Sequence, residues 1–139
     1  MMILDTNVLS ALMMQPADPA VVAWLDRQAR ESIWTTSITL LEIHYGLNVM
    51  ADGRRRKSRL GAFRRLVDEM LEERIAGFDR NAAEATAGLM AARKTAGKPV
   101  DLRDCMIAGI VHARKASLAT RNVKHFADAD IKITNPWQP

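Results

Sequence analysis

The stretch "MMILDTNVLS", Met1 to Ser10, decides how the chain is read. Met1 to Leu4 is an apolar run of the kind that forms a short buried β-strand. Asp5, Thr6 and Asn7 follow it with no transition, and Val8 to Leu12 then resume apolar positions as a brief helix. A carboxylate directly behind a buried strand needs a turn to cap, a partner cation or a chemical task. If later strands also alternate with helices, the sheet is parallel and covered on both faces. In such sheets ligands bind outside the carboxyl ends of the strands, near a change in strand order. Asp5 stands at such an end.

Working outward, Pro16 and Pro19 keep the first helix apart from a second. Asp18 serves that second helix as cap, Pro19 lies in its first turn, and Val21, Val22, Leu25 and Ala29 form its apolar face. "SIWTT" (residues 32–36) is β-rich and predicts a second strand. Ser37 then reads as the N-cap of a helix with Ile38, Leu41, Tyr45 and Val49 inward. Gly53 separates it from a helix that turns Leu60, Phe63, Leu66, Val67, Met70 and Leu71 to the core. "RIAGF" (74–78) predicts a third strand, and Asp79 or Asn81 caps an Ala-rich helix running to about Ala96, where "GKP" ends it. A helix from about Leu102 to Lys115, then "SLAT" (117–120) and "IKIT" (131–134), completes an α/β pattern. Its central, mostly parallel sheet has about four to five strands between helices.

The chain has 139 residues, the size of one domain. No apolar run approaches the roughly 20 residues of a membrane span. The first residues also lack the basic, apolar and small-residue segments of a signal peptide. Cys105 is the only cysteine, so neither an internal disulfide nor a multi-Cys zinc site can form. A cytoplasmic protein without membrane contact is expected. The net charge is +4, unevenly spread: seven Lys or Arg and no acid lie from Arg54 to Arg65. Such a stretch attracts a polyanion or is simply a solvated helix face.

Two further acids sit where burial is costly. Glu42 lies four residues after Ile38 and three before Tyr45, and Asp104 lies three before Ile107 and seven before Val111. A carboxylate leaving water neutralises or finds a cation. Three converging carboxylates raise one another's pKa values unless a metal holds them ionised. An oxygen-only set suits Mg²⁺, with Mn²⁺ as a substitute. His44, His112 and His125 are too scattered for zinc. Each acid also has a plain structural reading: Asp5 as a turn former, and Asp101 with Asp104 as a helix cap and first-turn acid. Glu42 is the hardest to explain in that way.

Four segments carry a resemblance over the whole chain: "MILDTNVLS", "TTSITLLEIHYG", "DLRDCMIAGIVHA" and "LATRNVKHF". In order and spacing they resemble the PIN-domain ribonucleases, specifically the VapC toxins of bacterial toxin–antitoxin pairs and their FitB-like branch. The resemblance implies a three-layer fold in a single domain over residues 1–139, and Mg²⁺-dependent cleavage of RNA. It further implies a homodimer, a cognate antitoxin, and a hetero-octamer of the two on DNA. Asp5, Glu42 and Asp104 match the family's acidic constellation, as metal ligands and catalytic residues. Thr6 and Asn7 match the polar pair after the first acid, and Thr120 the hydroxyl after the fourth strand. One position departs: Asn122 stands where many members carry a fourth acid. It can coordinate through its carbonyl but brings no charge, and Asp101 would compensate if its helix start faces the cleft.

The function expected is hydrolysis of an RNA phosphodiester, with Ser10, Ser37 and Cys105 assigned to packing or capping for want of a base partner. Arg54, Arg55, Arg56, Lys57 and Arg59, with Arg121 and Lys124 nearer the cleft, are the candidates for drawing RNA in. The histidines are expected in packed or surface roles. Trp24, Trp34 and Trp137 are too few and too separated for a base-stacking platform, which leaves core or interface use. The competing class is a binding module that keeps the fold but has lost turnover with Asn122.

Overall fold

The computed structural model describes residues 1–139. Its strands are β1 (Met2–Leu4), β2 (Ile33–Thr36), β3 (Ile75–Ala76), β4 (Ser117–Ala119) and β5 (Lys132–Thr134). They form one all-parallel sheet in the order β3-β2-β1-β4-β5. In register, Ile3 pairs with Trp34 on one side and Leu118 on the other. The chain builds outward from β1 in one direction, then returns to its other side for β4. That reversal opens a crevice at the carboxyl ends of β1 and β4, where side connections leave in opposite directions.

Seven helices cover the two faces: α1 (Thr6–Met13), α2 (Pro19–Asp26), α3 (Ser37–Val49), α4 (Arg54–Arg65), α5 (Arg80–Thr95), α6 (Leu102–Ala113) and α7 (Val123–Phe126). Successive strand residues point to opposite faces, so β1 feeds both halves of the core. Ile3 and Leu118 join Ile107, Ile110 and Phe126 on the α5–α6 side, whereas Leu4 and Ala119 join Val8, Trp24, Ile43 and Phe63 on the other. At Gly109 α6 lies hard against α5: a Cβ there would lie 1.9 Å from Thr86 Oγ1 and 2.8 Å from the Ala82 carbonyl oxygen. Only glycine permits that approach.

Several local expectations are corrected. The "RIAGF" strand shrinks to Ile75–Ala76, because a tight turn with positive φ at Glu72 and Glu73 precedes it and the edge position offers one neighbour only. In α2 the buried residues are Val21 and Trp24; Ala29 lies beyond the helix and is exposed. The N-cap of α3 is Thr36 and not Ser37, the Thr36 hydroxyl accepting from the Thr39 N–H. The buried face of α3 is Ile38, Thr39, Ile43 and Leu47, leaving Leu41, Tyr45 and Val49 more than half exposed. Both stripes have helical spacing, and contact with Phe63 and Val8 selects the second. The helix expected through Leu71 continues past α4 as a π-turn at Leu66–Met70, whereas a 3-10 turn at Arg30–Ser32 and the short helix α7 have no counterpart among the sequence expectations.

Candidate active site

Asp5 is both things its position allows. It caps α1, with Oδ1 accepting the Thr6 N–H at 2.8 Å, while its own N–H extends the β1–β4 ladder to the Ala119 carbonyl at 2.9 Å. Its other oxygen faces the crevice, taking hydrogen bonds from the Thr120 hydroxyl at 2.7 Å and the Asn7 amide at 3.2 Å. Thr120 directly follows β4, as Asp5 directly follows β1, so the sheet itself delivers both groups to one point. Only 4% of Asp5 remains exposed.

Glu42 reaches the crevice from α3. Its Oε1 accepts from the Thr6 hydroxyl at 3.0 Å, and Oε2 lies 3.9 Å from the Arg103 guanidinium. Asp104 comes from the first turn of α6, where its N–H donates to the capping Oδ1 of Asp101 at 3.0 Å. The Asp104 side chain turns away from that cap, and its Oδ2 lies 3.2 Å from His125 Nδ1. Three acids from three elements thus meet in one cleft of about 620 Å³, which Thr6, Asn7 and Asn122 also line.

Burial is the first cause that pushes up the pKa of each acid. For Asp5, hydrogen bonds from Thr120, the Thr6 N–H and Asn7 oppose the rise, and the Asp104 charge adds to it. For Glu42, Thr6 and Arg103 oppose it, while Asp5 and Asp104 add. For Asp104, the Asp101 charge adds and His125 opposes. Burial dominates in all three, and the Asp104 charge adds to the rise at both Asp5 and Glu42. A divalent cation fits this donor set, which offers carboxylate oxygens and no soft ligand. No three such side chains close on a common point. A cation here would be held through one or two carboxylates and complete its shell with water, as Mg²⁺ does elsewhere.

The other expected residues separate clearly. Asn122 lines the cleft, its side chain capping nothing in α7, and its N–H donates to Thr120 Oγ1 at 3.0 Å. Asp101 does not face this cleft; it lines a neighbouring hollow of about 360 Å³ with Lys124 and His125, and Asp104 forms the wall between the two. Of the basic residues in α4, Arg59 lines the cleft and Arg54, Arg55, Arg56 and Lys57 do not; Arg121 lines it as well. Ser10 lines its wall too, and Cys105 is buried.

Sequence reasoning missed His125, Arg93, Trp137 and Asp18 as parts of this region. His125 flanks Asp104, and Arg93 fixes its surroundings through Asp128 at 2.9 Å and the His125 carbonyl. Trp24 and Trp34 pack in or against the core, but Trp137 also lines the cleft, with its indole N–H on Asp18 Oδ2 at 2.9 Å. A usable signal existed for Trp137: "NPW" directly follows β5, hence lies at the ligand-binding edge of a parallel sheet.

Known proteins place this architecture. A family model described as "PIN domain" matches residues 2–132. The chain is 38% identical over 139 residues to VapC ribonuclease Y4jK of Sinorhizobium fredii, covering 100% of this chain and 99% of that protein. It is 30% identical over 137 residues to toxin FitB of Neisseria gonorrhoeae, covering 99% of each. Among solved structures, one described as FitAB bound to an IR36 DNA fragment superposes with a TM-score of 0.89 at 29% identity, covering 100% of this chain and 97% of that one. The chain belongs to the PIN-domain family, on the branch of its VapC- and FitB-type relatives.

Proposed function

We propose that the protein is a Mg²⁺-dependent endoribonuclease, the toxin of a toxin–antitoxin pair, acting in the cytoplasm. The observation that carries this reading is the meeting of Asp5, Glu42 and Asp104 at the carboxyl ends of β1 and β4, each with its pKa pushed up. Asp5 and Asp104 would hold the ion, with Glu42 as a third ligand or as the group that positions a water; Mn²⁺ would substitute. The chemistry such an ion supplies when bound is activation of water and polarisation of a phosphoryl oxygen.

The chain's own residues do the rest. Thr120 and Asn7 favour the ionised form of Asp5 against the effect of burial and aim it, since both donate to Oδ2. Thr6 does the same for Glu42 through its hydroxyl. Asn122, with its amide toward the cleft, can orient a water but not neutralise a cation. Cations at the rim, Arg59 and Arg121, bring the polyanion to a centre that otherwise repels it. The relatives' names, one a ribonuclease and one a toxin, support the same assignment.

A cognate antitoxin and assembly on DNA follow from the likeness to FitAB bound to DNA, and a hetero-octamer is the proposed form of that complex. A homodimer gives the exposed Leu41, Tyr45 and Val49 on α3 a partner surface, which an isolated chain lacks. Light scattering tests this: Tyr45→Glu should convert dimer to monomer, and a dimeric variant would remove α3 from the interface. The function is tested by mapping RNA ends after induction. Discrete cuts that vanish with Glu42→Gln are expected; cuts that persist, or none with the wild type, contradict it.

A further inference from the structure

Arg121 is placed with more care than an exposed rim cation needs. Its guanidinium carbon lies 4.7 Å from the centre of the Trp137 ring, stacked as a cation on an indole. The indole is itself tied down, its N–H donating to Asp18 Oδ2 at 2.9 Å, while Asp18 Oδ1 caps α2 through the Ala20 N–H. The Arg121 backbone N–H donates to Asn7 Oδ1 at 3.0 Å. Asn7 and the preceding residue, Thr120, are the groups that hold Asp5. One short segment therefore carries both the support of the deepest acid and the start of the stacked cation. No carboxylate comes within ion-pair distance of Arg121, so its N–H edges remain unspent.

These relations matter because of what surrounds them. The cleft is lined by Asp5, Glu42, Asp104 and Asp18, and its cations are Arg59 and Arg121. Arg59 is an exposed side chain on α4 with no such tether. A guanidinium resting over a tethered indole loses less freedom on binding than a free one, and its uncommitted N–H groups can take a phosphate bidentately. Lysine could not reproduce it.

We infer that Arg121, braced by Trp137 and Asp18, is a phosphate clamp that seats the RNA backbone beside the acidic centre and so sets which phosphodiester enters it. This rests on the nuclease reading for its biological meaning, but the binding it describes is measurable without cleavage. Arg121 contacts the substrate; Trp137 and Asp18 are positioning residues.

The test is the affinity of a short fluorescent single-stranded RNA, measured by anisotropy without Mg²⁺ over a salt series. Arg121→Ala should weaken binding about tenfold and lower the slope of log affinity against log salt by about 0.7. Trp137→Leu should weaken binding about threefold with the slope kept, since the charge remains but its brace is lost. Trp137→Phe, which keeps the ring face, should recover most of that loss and guards against a folding defect in the leucine variant. RNA affinity and slope unchanged in Arg121→Ala would overturn the proposal, as would Trp137→Leu binding like the wild type. Retained RNA affinity with weakened binding of polyglutamate would assign the stack to an acidic protein segment and overturn it equally. A wild-type protein that binds RNA through Arg121 but never cleaves it would refute the nuclease reading and leave the clamp standing.

Discussion

Thr120 Oγ1 donates a 2.7 Å hydrogen bond to Asp5 Oδ2, joining the residues that directly follow the two strands flanking the crevice. The same hydroxyl oxygen accepts from Asn7 Nδ2 at 3.2 Å and from the Asn122 N–H at 3.0 Å. Thr120→Val keeps the shape and removes the donor, leaving a buried carboxylate one hydrogen bond short. The expected cost is about 1.5–3 kcal/mol of stability and, on the role proposed for Asp5, about 10–100-fold in activity, the usual toll of losing a group that orients a metal ligand. Thr120→Ser should restore most of both. Thermal melts and cleavage rates of the two variants check this.

The acidic cluster also makes a pH-dependent demand on the fold. Burial and Asp101 raise the pKa of folded Asp104, so its proton is bound more tightly folded than unfolded. Its contribution to stability is then complete below the ordinary carboxylate range and is lost as pH rises through the raised value. In metal-free protein at neutral pH, Asp104→Asn should therefore melt higher than wild type, by about 2–4 °C. Near pH 3 the two should coincide. Added Mg²⁺ should raise the wild-type melting temperature more than that of the variant. Calorimetry with and without Mg²⁺ gives all three comparisons, and equal melting temperatures at neutral pH without metal would count against burial of the charge.

Away from the site, Gly109 of α6 leaves no room for a Cβ against Thr86 and Ala82 of α5. Gly109→Ala should destabilise by about 1–3 kcal/mol through overpacking against Thr86 and the Ala82 carbonyl. Adding Thr86→Ala removes the nearer obstruction and should recover part of the loss, the carbonyl remaining. Denaturant melts of the single and double variants measure both effects.

Much of this was legible in the sequence, for identifiable reasons. The run to Leu4 and the acid behind it mark a strand end because a parallel sheet buries its strands on both faces. Asp101 and Asp104 declare a helix start because capping is local chemistry, and Asp101 indeed caps α6. What could not be read depends on neighbours far along the chain. The spacing of α3 supports two apolar stripes, and only packing across the sheet selects Ile43 and Leu47 over Leu41 and Tyr45. Glu42 was placed at the edge of one stripe and is in fact half-buried beside the other, so its location was right and the face was wrong. His125 and Trp137 escaped notice because their partners, Asp104 and Asp18, lie 21 and 119 residues away in sequence.

Asn122 offers a gain-of-charge test. It is exposed in the cleft without a capping task, so Asn122→Asp should fold normally. A fourth carboxylate would tighten divalent-cation binding, by about 3–10-fold at the partly solvated rim. Titration calorimetry with Mn²⁺ measures the change. Unchanged affinity would place the Asn122 side chain outside the cation's reach.

The most direct measurement is cleavage of a labelled RNA by purified wild-type protein and Asp5→Ala across an Mg²⁺ titration, with EDTA as the blank. Wild type should cleave in proportion to Mg²⁺ occupancy, and Asp5→Ala, folded by circular dichroism, should fall to the EDTA background. Cleavage by Asp5→Ala at the wild-type rate, or wild-type cleavage undiminished by EDTA, would contradict a metal-dependent centre built on Asp5, Glu42 and Asp104.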